Sequence, residues 1–353
     1  MDSLAAKSRR LLSGFTLVEM LVSTVILLIL VIILASMSNY VTRIWRSSGS
    51  QADVFQASRS GMESMTSQLE LATMNVFWDY DNPSAPTRYL RKANEAFVSG
   101  SAANLLTAAP AAVAVADVNP NAVLMPGHAF FFQAPMGRTS NNLVDNLQLL
   151  LNTCGFFIQY RNVNANTTLP GAGTPTARNR YCLMQVQSTA QEMSIYATKT
   201  GANSTWPSVT NNSWFNTNSL LSNTNSRMLA ENIVLLLVRP MTTGTNGVRT
   251  DLTTTTYALD TRSGETNNPQ PATASQLPPF VNLTLIGVAE NTMLRKDTTK
   301  GYQFTTSDLS GLFTNPVNYD NDLKSFMNIL SRERIDYRIF QQTVLLPNSK
   351  WSD

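Results

Sequence analysis

The chain has 353 residues with 26 Lys+Arg against 23 Asp+Glu, and only 14% of its residues are charged while 43% are hydrophobic. This length supports a substantial core, in one elaborate domain or two, and a net charge of +3 is too small for a dedicated nucleic-acid binder, so no nucleic-acid partner is expected. One histidine, His128, and two cysteines, Cys154 and Cys182, exclude the usual zinc site, which needs four Cys/His ligands.

Residues 1–14 are polar and basic, with Lys7, Arg9 and Arg10 outweighing Asp2. An apolar run follows, and from Phe15 to Met37 its one charge is Glu19. At about 1.5 Å per residue the run makes a helix of about 35 Å, enough to cross a hydrocarbon core of about 30 Å. The basic flank predicts a cytoplasmic N-terminus, with the chain beyond residue 40 across the membrane. A secretory signal peptide is the rival reading, but its apolar region spans only about 7 to 15 residues. Glu19 separates the two, because a carboxylate inside a membrane helix costs about 3 kcal/mol or more without a partner and so marks function.

Gly14-Phe15-Thr16-Leu17-Val18-Glu19, behind a basic leader and ahead of an apolar run, resembles the type IV prepilin signature. The resemblance implies a leader of residues 1–14, cut after Gly14 by a prepilin peptidase that then methylates Phe15. It also implies that the Glu19 carboxylate pairs with the terminal amine of a neighbouring pilin or pseudopilin subunit, on an inner-membrane assembly platform. Loss of the leader leaves 23 basic and 22 acidic residues, a net charge of +1.

Beyond the membrane span of residues 15–37, an amphipathic continuation is expected over 38–77. Phe55, Ser58, Met62, Met65, Leu69, Ala72 and Val76 recur there at spacings of three and four. Gly49 and Gly61 each weaken that helix by about 1 kcal/mol, and a bend is expected near residues 47–50. Asp79 to Pro83 stops it, and a globular domain fills residues 78–353.

Within that domain Ala129 to Phe132 reads as a strand, and Leu143, Leu147, Leu150 and Leu151 as a helix closed by Gly155. Phe156–Tyr160 and Tyr181–Gln187 read as a hairpin around a loop with Pro170, Gly171, Gly173 and Pro175. Residues 201–227 are rich in Asn, Ser and Thr and read as an exposed loop anchored by Trp206 and Trp214. Ile233–Val238 is a strand buried on both faces and closed by Arg239-Pro240. Tyr257–Thr261 is a weaker strand, followed by a polar loop. Phe280–Val288 alternates as a half-buried strand, then Leu323, Phe326 and Leu330 mark a short helix and Ile335, Tyr337 and Ile339 a last strand.

This order predicts an α+β fold of pilin-like layout, a long transmembrane helix packed on an antiparallel sheet with large loop insertions. The segments Arg227–Ile233, Leu277–Leu283 and Tyr337–Phe340 resemble the end of J-type minor pseudopilins of type II secretion. With the overall length and the Leu151–Phe157 region, they are also similar to the prepilin-like Verru_Chthon cassette protein C group.

No catalytic machinery is legible. There is no P-loop and no G-x-S-x-G elbow beside His128, and Gly171-Ala172-Gly173 reads as a turn. Asp79, Asp81 and Asn82, and likewise Asp320, Asn321 and Asp322, gather oxygen ligands without the spacing of a calcium loop, so they read as solvated turns or caps. Neither a metal nor a cofactor is expected. Cys154 and Cys182 flank strands expected to pair in an oxidising compartment, so a disulfide and two buried thiols both remain open. A membrane-anchored binding protein or enzyme is the alternative to an assembly subunit.

Overall fold

The computed structural model describes residues 16–82, 84–106, 119, 121–141, 143, 147–163, 178–193, 195, 214–215, 225–244, 247–294 and 301–351. The chain divides into two compact units, Met1–Gly49 and Ser50–Asp353.

The first element, α1 (Leu17–Glu70), begins in the first unit and ends in the second, with helical bonding continuous through Gly49 and Gly61. In the first unit every described side chain of the helix is exposed. In the second unit Ser58, Met62, Met65 and Leu69 are buried, and each of the three apolar side chains contributes about 1.5–3 kcal/mol by leaving water. Gly61 has a packing role on this face: a Cβ there would sit 3.0 Å from Leu183 and 3.5 Å from Ala230, so its absence lets the helix lie close on the sheet. The amphipathic face expected from sequence is therefore present but ends sooner. The Ala72 N–H turns back to the Leu69 carbonyl and the Thr73 N–H bonds Gln133, which takes the chain out of the helix before Val76.

Twelve strands are described, and every pairing is antiparallel. Strands β1 (Val76–Tyr80) and β2 (Tyr89–Ala93) form a hairpin. After β3 (Val98–Ser101) and the one-turn α2 (Ala102–Leu105) come β4 (His128–Pro135), β5 (Leu151–Val163), β6 (Arg178–Gln187) and β7 (Ser226–Glu231). They are followed by β8 (Ile233–Thr243), β9 (Arg249–Asp251), β10 (Leu259–Asp260) and β11 (Phe280–Val288). Short helices α3 (Glu290–Met293) and α4 (Thr306–Leu309), then α5 (Tyr319–Arg332) and β12 (Tyr337–Leu345), complete the chain. The larger sheet has the order β10-β3-β4-β5-β6-β7, and the smaller β12-β11-β8-β9.

Side-chain alternation divides the larger sheet between two cores. Phe130, Phe132, Phe156, Ile158 and Leu183 join Met62, Met65 and Leu69 of α1 and the apolar run of β8 in the main core. Phe131, Phe157, Met184 and Val186 face the other way, where Trp214 and Phe215 cover them. Trp214 is thus the buried anchor expected of residues 201–227, while Trp206, Pro170, Gly171, Gly173 and Pro175 lie outside the described residues.

Four further expectations are corrected. Leu143, Leu147 and Leu149 are exposed, and Leu151 opens β5 rather than ending a helix. Strand β8 runs through Pro240 to Thr243, because β9 pairs only with Met241–Thr243 and asks for no bond from Pro240 nitrogen. Strand β11 is buried on both faces, sitting between β8 and β12. The polar loop after β10 is docked: buried Arg91 donates to the carbonyls of Ala274, Pro271 and Ala272 and holds it over β2.

Candidate functional site

Thr16 starts α1: its hydroxyl accepts the Glu19 N–H at 3.3 Å and its carbonyl accepts the Met20 N–H at 3.2 Å. This is the backbone half of a capping box, which leaves the Glu19 side chain in the positive first turn of the helix. The sequence signal for this cap is Thr-x-x-Glu ahead of an apolar run, which lies inside the Gly14–Glu19 signature. Gly14, Phe15, Lys7, Arg9 and Arg10 lie outside the described residues.

Leu17–Thr42 forms an apolar span of 26 residues, none of them buried. Leu17, Val18, Ile26 and Leu27 are more than half exposed although they point in different directions around the helix. A helix apolar on every side needs a cover of lipid or of other apolar helices. Ser23 and Thr24 satisfy their own hydroxyls on the carbonyls of Glu19 and Leu21, so they add no unpaired polar group to the span. Glu19 is exposed, and among the described residues nothing pairs with its carboxylate. At the far end Tyr40 and Trp45 are 67% and 79% exposed, in the place of an interfacial aromatic belt.

The remaining candidates are held elsewhere. His128 is buried, with Nδ1 accepting the Val238 N–H at 3.1 Å and Nε2 donating to the Phe313 carbonyl at 3.3 Å. Both nitrogens are thereby occupied in a neutral ring, and burial pulls its pKa down to about 4. Asp81 accepts from the Thr87 hydroxyl and from the N–H groups of Thr87 and Asn82, which hold its carboxyl well below the usual carboxylate range, while Asp79 pairs with Lys92 at 2.9 Å. Asp322 accepts the Phe313 N–H at 2.9 Å and Asp320 is exposed. Among the described residues no cluster of three potential metal ligands forms.

Cys154 and Cys182 are free thiols, which corrects the disulfide considered from their positions. In the β5–β6 ladder Cys182 pairs with Gln159, five residues from Cys154, so the two point to opposite faces. Cys154 lies in the main core and Cys182 in the other. Five residues of strand span about 16 Å, against an upper limit of about 7 Å between bridged Cα atoms.

Residues 9–35 match the prokaryotic N-terminal methylation motif. The chain therefore carries a type IV prepilin-like signature on a membrane-anchoring helix, followed by an antiparallel α+β fold. No curated protein and no solved structure matches it.

Proposed function

We propose that this chain is a minor pilin or pseudopilin, an assembly subunit rather than a catalyst. The leader holding Lys7, Arg9 and Arg10 stays cytoplasmic, prepilin peptidase cuts after Gly14 and methylates Phe15, and the domain lies beyond the inner membrane. Extraction from the bilayer then places α1 in a bundle with the helices of other pilin-like subunits, on the membrane assembly platform.

The observation that carries this reading is the N-terminal helix itself, apolar on all sides and interrupted by one unpaired carboxylate three residues from its cap. Lipid covers the apolar surface but not Glu19, whereas the Phe15 amine of a neighbour supplies the missing charge. The segments resembling J-type minor pseudopilins support the finer reading. They fall on β7, β8, β11 and β12, of which the last three are adjacent in the smaller sheet.

Mass spectrometry of the N-terminus of the protein purified from membranes tests the proposal. A chain that starts at Phe15 and bears one added methyl group is expected. An intact Met1, or a cut beyond residue 37, would overturn it.

A further inference from the structure

The larger and smaller sheets end in four edge strands, and three of these are blunted. Strand β10 has two residues, β9 has three, and β7 runs in irregular register against β6 between Leu183 and Met184. Short edges and bulges are devices that keep a sheet from pairing with another chain. The fourth edge, β12, has neither. Its nine residues pair with β11 without a register shift, include no proline and no lysine, and carry Arg338 as their one charge.

The ends of β12 show which way its backbone groups point. The Leu346 N–H donates to the Pro279 carbonyl at 3.0 Å and the Ala289 N–H to the Asp336 carbonyl at 2.9 Å, so the even-numbered residues bond toward β11. Successive residues of an antiparallel ladder turn their N–H and C=O to opposite sides. Tyr337, Ile339, Gln341, Thr343 and Leu345 therefore turn both backbone groups to the open edge, and among the described residues no hydrogen bond reaches those groups. Ile339 and Leu345 are 37% and 55% exposed, and Gln341 is exposed as well.

A row of donors and acceptors that repeats every second residue, about 6.8 Å, sets the chemistry of what covers it. Lipid chains offer neither partner, and a surface without an edge of its own has its backbone groups already paired. An extended polypeptide supplies both at that repeat, in the recognition mode where main-chain bonds give affinity and alternate side chains give specificity. Ile339 and Leu345 share one face of β12 with the uncharged Gln341 and Thr343, which favours uncharged and partly apolar side chains on the same face of the added strand.

We propose that the outer edge of β12 receives an extended, uncharged segment of another protein chain as an added antiparallel strand. The antiparallel direction is that of every pairing in this protein and the more stable per residue. The inference does not depend on how the N-terminal helix is processed or assembled.

The test uses the full chain in lipid nanodiscs and a capped, fluorescein-labelled nonapeptide of alternating threonine and valine. Fluorescence anisotropy reads binding, with empty nanodiscs subtracted, and hydrogen exchange locates it. A saturable rise is expected, together with slowed exchange in the segment Tyr337–Leu345. The same peptide N-methylated on two adjacent central amides, which blocks both of its edges, should bind at least about tenfold more weakly. Ile339→Pro should weaken binding by a similar factor with melting temperature and circular dichroism unchanged, because the N–H it removes points away from β11. If that variant does not fold, the pair of peptides still decides. No saturable rise would overturn the proposal, as would equal binding of the methylated peptide, unchanged binding to folded Ile339→Pro, or protection confined to other segments. If Tyr337–Leu345 is fully protected before any peptide is added and Ile339→Pro releases it, a second copy already covers the edge and the proposal fails.

Discussion

Gly155 lies directly opposite Phe131 in the β4–β5 ladder, and the Phe131 ring occupies the space that a Cβ on residue 155 would need. The ring cannot swing away cheaply, because it stacks on Phe215 with centroids 4.1 Å apart and is fully buried. Gly155→Ala should therefore destabilise the domain by about 1–3 kcal/mol through overpacking. Urea unfolding measures the loss, and combining the change with Phe131→Leu should recover part of it. A lone Gly155→Ala at wild-type stability would contradict the packing described.

His128 makes stability depend on pH. Its folded pKa of about 4 lies below the ordinary 6.5, so between those values the unfolded chain binds the proton that the folded chain refuses. The contribution is therefore fully present above about pH 6.5 and is lost as pH falls toward 4, by about 3 kcal/mol in all. Unfolding free energies at pH 7.5 and pH 5 should differ by about 2 kcal/mol more in the wild type than in His128→Gln. Equal pH dependence of the two proteins would remove His128 as the cause.

Both cysteines should behave as protected free thiols. Burial pushes each thiol up to about 12, which keeps the reactive thiolate scarce at neutral pH. Maleimide should label neither in the folded, unreduced protein and both once it is unfolded without reductant. A denatured, unreduced chain that takes up no label would instead establish a bridge.

Glu19→Val should leave membrane insertion intact, since it removes a carboxylate that is costly in lipid. Cleavage after Gly14 should also persist, because the proposed partner of Glu19 exists only after the cut. Assembly should fail, with the unpaired Phe15 amine costing about 3–5 kcal/mol in an apolar bundle. Leader removal read by mass, beside incorporation into purified assemblies, separates these steps. Normal incorporation of the valine variant would show that the pairing does not order the subunit.

The sequence by itself determined the features that are written in contiguous residues. A basic leader, the run from Phe15 and the lone Glu19 specify a membrane-anchored prepilin-like start, because length and composition alone decide whether a helix can span lipid. Residues 233–238 and 280–288 are legible as strands for a similar reason, since a short apolar run and a period of two both mark extended chain, although the alternation of 280–288 does not record the burial of its second face. Tertiary structure decided what each face meets. Gly155 reads as a helix stop until Phe131 from another strand is seen against it, and Arg91 gives no sign that it holds the loop around Ala274. The residues of Leu143–Leu151 repeat at helical spacing, yet Leu151 pairs with Pro135 in a ladder that begins the strand there. Cys154 and Cys182 looked bridgeable because their strands are neighbours, but the register placed them on opposite faces. Register, close approach and the burial of His128 depend on segments distant in the chain, and local pattern carries no record of those partners.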